Sequence, residues 1–449
     1  MTGLLSITSA LLSSGLVLAV LVALLWLLAC FTKPSETSRK LIHMLMGLTC
    51  LSFPWLFSSP TPVIVLSIVV SILLSGLKLS EQSKLYPVLF SVGRRSIGEV
   101  CFPLGVSLTF VLSNGVLAHY IAPVAILALA DSLSALIGMK FGSKFYKVVN
   151  GSKTLEGSLA FFFTAALTAF VSLSLLSPAS LSHVIMLALI AAIAATAFEG
   201  MSWGGLDNLF VPVGTLLVLA QVDKQSDLQL SHTLAVFIGV FLLILALKRL
   251  STLEGGAALA VVGYIYVCYM LGGLAWILLP VVLYASYRRL MPKRFAKIVS
   301  THSIFGVLSV ASVGIFWLLA SHKSDVYIYP YATALATHGA IIASAHIHLN
   351  AFDDCVNSDK LKIYSLVCSV LKSWSLIFIP LVFITGFSTG ISANHIVQIF
   401  LAPIWIFVAT ALFVTTTKVG PDFRNSSSRW IKQGACAAIG SALALVGTI

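Results

Sequence analysis

Long apolar segments of about twenty residues recur along the whole chain, and short polar connectors separate them. A segment of that length crosses the hydrocarbon core of a bilayer as a single α-helix. About 16 such segments are present, in two blocks of about eight, so the pattern predicts an all-α, polytopic integral membrane protein. The break between the blocks lies near Gln221–His232. We therefore expect one membrane domain over residues 1–225 and a second over residues 226–449.

Composition supports this class, because 59% of the 449 residues are hydrophobic and only 9% are charged. A soluble domain needs roughly a quarter charged residues to cover its surface. The first apolar segment has no basic leader, so we interpret it as a membrane span and not as a removed signal peptide.

The net charge of +12 follows from 27 Lys and Arg against 15 Asp and Glu. Basic connectors alternate along the chain with nearly neutral turns such as "SSPTP" and "SNGVLAH". Because cytoplasmic loops of membrane proteins carry an excess of Lys and Arg, the basic connectors are expected on the cytoplasmic side. The excess positive charge is thus explained by topology, and nucleic-acid binding is not expected.

Cysteine and histidine give no sign of a structural metal site. The seven cysteines are scattered and form no Cys-x-x-Cys motif. Three histidines, His338, His346 and His348, share one apolar segment, but their spacing does not place them on one helical face.

One acidic residue, Asp131, lies inside the fifth apolar segment. Inserting an aspartate at the centre of a membrane helix costs on the order of 2.5–3.5 kcal/mol, so Asp131 should face protein or water. Ser134, Gly138 and Gly142 continue the same helical stripe. Small residues at this spacing are also typical of a helix-packing seam. A seam does not explain the acid, nor the lysines that follow, which are Lys140, Lys144, Lys147 and Lys153.

The motif "GSKTLEG" comes next and contains Lys153, Thr154, Glu156 and Gly157. Exposed backbone at glycines, a lysine and a hydroxyl beside acidic residues suit a triphosphate with Mg²⁺. Lys153 would neutralise phosphate charge, while Asp131 and Glu156 would hold the metal. The alternative is a simple helix N-cap at Thr154, with Glu156 in the first turn.

A third segment, "FEGMSWGGLDN", is acidic, although the alternation of connectors places it on the cytoplasmic side. Asp207 and Asn208 there could cap the next helix. However, Glu199 and Asp207 are expected on the same cytoplasmic side of the membrane as Asp131 and Lys153. Three acidic sites and a lysine on one face favour metal-assisted phosphoryl transfer.

Two earlier segments carry further candidates. "SRKLIHMLMG" contains Arg39, Lys40 and His43, and "RRSIGEVCFPLG" contains Arg95 and Glu99. Basic residues at the ends of membrane helices are anchors by default, because their charged tips reach the interface. Glu99 is the less expected residue.

Taken in order, "RKLIH", "RRSIGEVCFPLG", the stretch from Asp131 to Gly157, and "DNLFVP" resemble the phytol/dolichol (polyprenol) kinase family. The resemblance covers roughly residues 31–221, and Ser134 departs from it where alanine is common. It implies a membrane enzyme that uses CTP and Mg²⁺ to phosphorylate a long isoprenoid alcohol at the cytoplasmic face. The catalytic set it implies is Asp131, Lys153, Glu156 and Asp207, with Asp131, Glu156, Glu199 and Asp207 as metal ligands. The implied nucleotide-binding set is Ser134, Gly138, Gly142, Lys144, Thr154, Gly157, Arg39, His43, Arg95, Glu99 and Asn208.

A related signature occurs in CDP-diacylglycerol synthases, which transfer the cytidylyl group, but the Asp207-Asn208-x-x-x-Pro212 element favours the kinases. A secondary transporter built from two halves is a further alternative, since such proteins also carry intramembrane acids and glycine-interrupted spans. A noncatalytic scaffold is the fourth possible function. The identity of the alcohol, the choice between CTP and ATP, and the oligomeric state stay open.

The second half is more weakly similar, over Ser251–Leu290, to a phytyl-phosphate kinase-like membrane domain. Where that resemblance implies an acidic motif, the chain reads "LATHGAIIASAHIHLN", without a carboxylate. We therefore expect the second half to be catalytically silent. Asp353 and Asp354 in the next connector are the candidates for a diverged site.

Overall fold

The structure is a computed structural model that describes residues 2–31, 35–80, 86, 96–149, 151–248, 251, 253–290, 302–321, 324–353, 359–381, 383, 393–417 and 426–447. Within these ranges the protein is almost entirely helical, and it has one two-stranded sheet. The chain divides into two compact units, residues 1–239 and 240–449.

Helix length and composition establish the class of protein. Ten helices in the described ranges are long and apolar enough to cross a membrane, and three shorter apolar helices accompany them. The prediction of an all-α, polytopic membrane protein is therefore confirmed.

The first unit contains most of the sequence motifs. Its elements, in chain order, are α1 (Thr2–Phe31), α2 (Glu36–Cys50), α3 (Phe53–Leu56), α4 (Pro60–Leu79), α5 (Gly98–Leu112), α6 (Leu117–Phe141), β1 (Phe145–Val148), β2 (Gly151–Thr154), α7 (Leu155–Leu176), α8 (Leu181–Met201), α9 (Asp207–Val222) and α10 (Asp227–Leu247). The division between the two units falls within α10.

Helix α6 is the centre of the first unit. It packs against α2, α5, α7 and α9, and its alanines, such as Ala122 and Ala128, are fully buried. Small side chains along α6 let these neighbours approach closely. The helix that carries Asp131 is therefore surrounded by protein, as its charge requires.

Polar residues fix where the helices around Asp131 begin. Ser35 caps α2 through a capping box with Ser38, and Thr154 caps α7 by accepting the N–H of Gly157. Ser180 caps α8 in the same way, through the N–H of His183. Each hydroxyl satisfies a backbone N–H that has no partner within its helix.

The connector between α6 and α7 folds as an antiparallel hairpin, which pairs Tyr146 with Lys153 and Val148 with Gly151. We did not predict these strands. The signal was present as "FYKVVNGSKT", where an Asn-Gly dipeptide, which is typical of tight hairpin turns, overlaps the start of β2.

The second unit is built around one central helix, which packs against five others. The central helix is α14, and the elements in chain order are α11 (Gly255–Gly272), α12 (Leu274–Leu290), α13 (Ile304–Ser321), α14 (Ile328–Asp353), α15 (Asp359–Ser373, followed by a π-helical turn at Trp374–Phe378), α16 (Ala393–Thr416) and α17 (Ser427–Leu443). The two units contain short similar stretches, "ALAD" ending at Asp131 and "ALAT" ending at Thr337. Both stretches lie on the central helix of their unit.

Candidate active site

A buried ion pair joins α2 to α6. Lys40 Nζ lies 2.7 Å from Asp131 Oδ2, and both side chains are less than a tenth exposed. Two turns along α2, a Cβ on Gly47 would lie only 2.5 Å from the Cβ of Ala128, so this glycine lets the helices approach closely. The close packing at Gly47 and Ala128 places Lys40 opposite Asp131.

His43 completes this part of the site. Its Nε2 lies 3.4 Å from Asp131 Oδ2, and it has no hydrogen-bond partner among the described residues. On its other side the ring meets the ring of Phe102 edge-on, with centroids 5.0 Å apart. Ser132 also ties α6 to α2 by donating to the backbone oxygen of Lys40 at 3.1 Å.

A second ion pair lies between β2 and α8. Lys153 Nζ contacts Glu199 Oε1 at 2.6 Å and also donates to the backbone oxygen of Glu199. Glu199 is buried, and its Oε2 has no hydrogen-bond partner among the described residues. Burial alone would lower the pKa of Lys153, but the charge of Glu199, helped by that of Asp207, raises this pKa above its usual value. Lys153 is therefore cationic at neutral pH.

Asp207 connects the two ion pairs electrostatically. It is the first residue of α9 and follows a turn in which Gly204 and Gly205 have positive φ angles. Its charge acts on Arg39, on His43 and on both members of the Lys153–Glu199 pair. Asp131 also acts on Arg39 and Glu199. Because their charges act on shared neighbours, we describe Asp131, Glu199 and Asp207 together as the charge cluster, and their roles stay predictions.

Glu156 has a different environment from the other three acids. Its carboxylate accepts the hydroxyl of Ser143 at 2.5 Å and the backbone N–H of Lys144 at 3.2 and 3.3 Å. These bonds close the base of the hairpin that carries Lys153. The Lys144 side chain itself is exposed. In this structure Glu156 holds the base of the hairpin, and its role as a metal ligand stays a prediction.

The glycine stripe forms a packing seam between α6 and α7. A Cβ on Gly138 would lie 2.8 Å from Thr154 Oγ1, and one on Gly157 would lie 3.1 Å from the backbone oxygen of Ser134. Gly142 is similarly crowded by Thr154. The sequence left a packing seam and an N-cap at Thr154 as alternatives to a nucleotide site. Both the seam and the N-cap are present, and together they position Lys153 beside the glycine stripe.

The remaining candidates lie around the cluster. Glu99 is paired with Lys78, and Asn208 Nδ2 donates to the backbone oxygen of Gly98 at 3.3 Å. Arg39 is paired with Glu36 at 2.5 Å. The contacts of Glu99 and Asn208 join α4, α5 and α9 at one end of the unit. Arg95 lies outside the described residues.

The acids of the cluster do not by themselves enclose a metal ion. Among the described side chains, no three His, Cys, Asp or Glu residues lie close enough together to hold one. Magnesium does not require such a set, because it usually keeps several waters and binds one or two carboxylates together with substrate phosphates. The buried Glu199 Oε2, which has no hydrogen-bond partner among the described residues, is a carboxylate oxygen of that kind.

Lys40 is the site residue that sequence reasoning missed. The sequence assigns Lys40 only the default role of an interfacial anchor, whereas its neighbours Arg39 and His43 belong to the implied nucleotide-binding set. The available signal was its spacing from His43, since residues three apart in a helix share a face. An acid within the membrane also requires a partner, and a nearby lysine is the simplest one.

The second unit has no comparable charge cluster among its described side chains. The central helix carries buried Thr337 and His338 in place of an acid, and His338 is hydrogen-bonded to Gln433 at 3.0 Å. The side chain of Asp353, and all of Asp354, lie outside the described residues. Catalytic silence of this half stays a prediction.

Comparison with known proteins identifies a relative. The chain is 31% identical over 188 residues to a phytol kinase of Synechocystis sp., a match that covers 41% of this chain and 78% of the relative. No protein-family model matches the chain, and no solved structure is similar to it.

Proposed function

Since this chain belongs to the phytol kinase family, we propose that it transfers a phosphoryl group from a nucleoside triphosphate to the hydroxyl of a long isoprenoid alcohol such as phytol, geranylgeraniol or dolichol. We propose CTP as the donor and Mg²⁺ as the accompanying ion. The reaction would take place at the cytoplasmic face, where topology places the basic connectors.

The observation that carries this proposal is the meeting of paired acids and bases at one end of a membrane-embedded helix bundle. Lys40, Lys153 and Arg39 supply cations that can bind phosphate oxygens. Asp131 supplies a carboxylate for proton acceptance, and Glu199 supplies one that can bind a metal ion. Phosphoryl transfer depends mainly on positioning and on charge stabilisation, and such a set provides both.

We assign distinct tasks to the acids. Asp131 lies 3.4 Å from His43, whose ring contacts the apolar ring of Phe102, and we assign to Asp131 the acceptance of the alcohol's proton. Glu199 and Asp207 would hold the magnesium ion, which when bound stabilises charge on the transferred phosphoryl group. Glu156 would act by holding the hairpin that presents Lys153.

Purified protein incubated with radiolabelled CTP or ATP and a panel of lipid alcohols tests the proposal. The expected products are a prenyl monophosphate and a nucleoside diphosphate. Release of pyrophosphate would instead identify a cytidylyltransferase, and the absence of any lipid product would overturn the assignment. Asp131→Asn should lose turnover by about 100- to 10,000-fold while the protein still inserts. Retained turnover would exclude Asp131 as the base.

A further inference from the structure

An apolar cavity of about 30 Å³ lies in the first unit, between α1, α2, α4 and α5. Ser67 and Ser107 are the lining residues with hydroxyl groups, and the others, such as Leu66 and Val106, are apolar. A cavity lined in this way tends to stay dry and to accept hydrocarbon. The cavity has no part in holding the charge cluster together. Its position relative to the cluster therefore bears on what the cavity binds.

The cavity begins at the charge cluster. Phe102 lines the cavity and also contacts the ring of His43, with centroids 5.0 Å apart. Met46, another lining residue, follows His43 by three positions on α2 and therefore lies on the same face. One wall of the cavity is thus in contact with the histidine that lies 3.4 Å from Asp131.

The order of the lining residues gives the cavity a direction. On α2 the lining continues from Met46 to Cys50, away from Lys40 and His43. On α4 it extends from Val63 to Val70, and at 1.5 Å per residue this distance is about 10 Å. The cavity is therefore a narrow channel that leads away from the cluster into the apolar part of the bundle.

We propose that this cavity, which we call the proximal prenyl channel, receives the isoprene units nearest the hydroxyl of the alcohol. This assignment rests on the proposed function, because it places the hydroxyl beside His43 and Asp131. A cavity of about 30 Å³ is too small for a whole tail, so only the part of the chain nearest the hydroxyl is assigned to it. The rest of the tail lies in the bilayer, so selectivity depends on the first isoprene units and little on total length.

Photolabelling of the wild-type protein tests the position of the chain directly. Two geranylgeraniol analogues are used, one with a diazirine in the isoprene unit next to the hydroxyl and one with a diazirine at the far end. The first should label Met46, Phe102 or Val106, and unmodified geranylgeraniol should compete. The second should label lipid or lipid-facing side chains. Labelling of the channel by neither analogue would overturn the proposal.

The second measurement uses a variant in which a larger side chain fills the channel. Val106→Phe adds a ring where Val106 is 3% exposed, whereas Leu108→Phe, on the same helix at a position 41% exposed, is the matched control. Misfit in an apolar pocket changes selectivity by about 10- to 200-fold. We expect kcat/KM for geraniol, farnesol and geranylgeraniol to fall by a similar factor in Val106→Phe, and to be unchanged in Leu108→Phe. Nucleotide affinity should not change in either variant.

The outcomes separate the two proposals. If the wild-type protein phosphorylates no alcohol, the proposed function fails, whereas labelling of the channel by the first analogue would still show a prenol site. If turnover is normal but Val106→Phe matches the control, the channel assignment fails alone. If Val106→Phe does not fold, labelling of the wild-type protein decides.

Discussion

The buried Lys40–Asp131 pair allows the structural and the chemical role of Asp131 to be separated. Lys40→Met and Asp131→Leu each remove one charge and leave the other buried. Because both side chains are less than a tenth exposed, each single variant should lose about 3–5 kcal/mol of unfolding free energy. The double variant replaces the pair with apolar groups, and such replacements are often neutral or stabilising. Its stability should therefore return close to that of the wild type.

The assay has two readouts on the same four proteins. Unfolding by SDS titration in mixed micelles gives the coupling free energy of the cycle, and turnover with labelled nucleotide gives activity. The exposed His183–Asp227 pair, with Nδ1 and Oδ1 2.7 Å apart, is the control and should show coupling close to zero. We expect the double variant to be stable and inactive. A stable double variant with wild-type turnover would refute a chemical role for Asp131, and additive single effects would refute the buried pair.

Two further variants test the hairpin and the seam. Lys153→Met should raise the KM for nucleotide about 10- to 100-fold, because charge-assisted bonds to phosphate are lost. Lys147→Met, at an exposed position on the same hairpin, is the control and should leave this KM unchanged. Equal effects of the two variants would contradict a phosphate-binding role for Lys153. Gly138→Ala should cost about 1–3 kcal/mol in SDS unfolding, because its Cβ would lie 2.8 Å from Thr154 Oγ1. Gly76→Ala, where no atom lies within 4 Å of the new Cβ, is the control and should not destabilise.

The membrane class and the approximate position of the site could be predicted, because both depend on local features of the sequence. Apolar length alone indicates spans, and an acid within a span has to find a partner. Asp131, Glu199 and Asp207 could therefore be grouped from the sequence, and their roles in a site stay predictions. Alternation of the connectors placed them at the same end of their helices without any knowledge of packing.

What the sequence could not predict is which charge pairs with which. Lys40 and Asp131 are 91 positions apart, and their contact depends on the close approach of two helices at Gly47. Glu156 was expected to hold metal, but its bonds to Ser143 and Lys144 depend on a hairpin that we did not predict. Tertiary packing decides which charges pair with one another. No periodic pattern in a single sequence indicates that packing.

The pairing also explains why an apolar bundle tolerates these charges. Lys40 pairs with Asp131 and Lys153 pairs with Glu199, so each of these two buried acids faces a cation. A single uncompensated charge would be costly at this depth. Phosphates would bring anions that compete for the lysines, and the carboxylates they release would become free for a cation or a proton. The pairing of Asp131 and Glu199 with lysines is therefore what lets these residues be stable in the membrane and still be available to substrate.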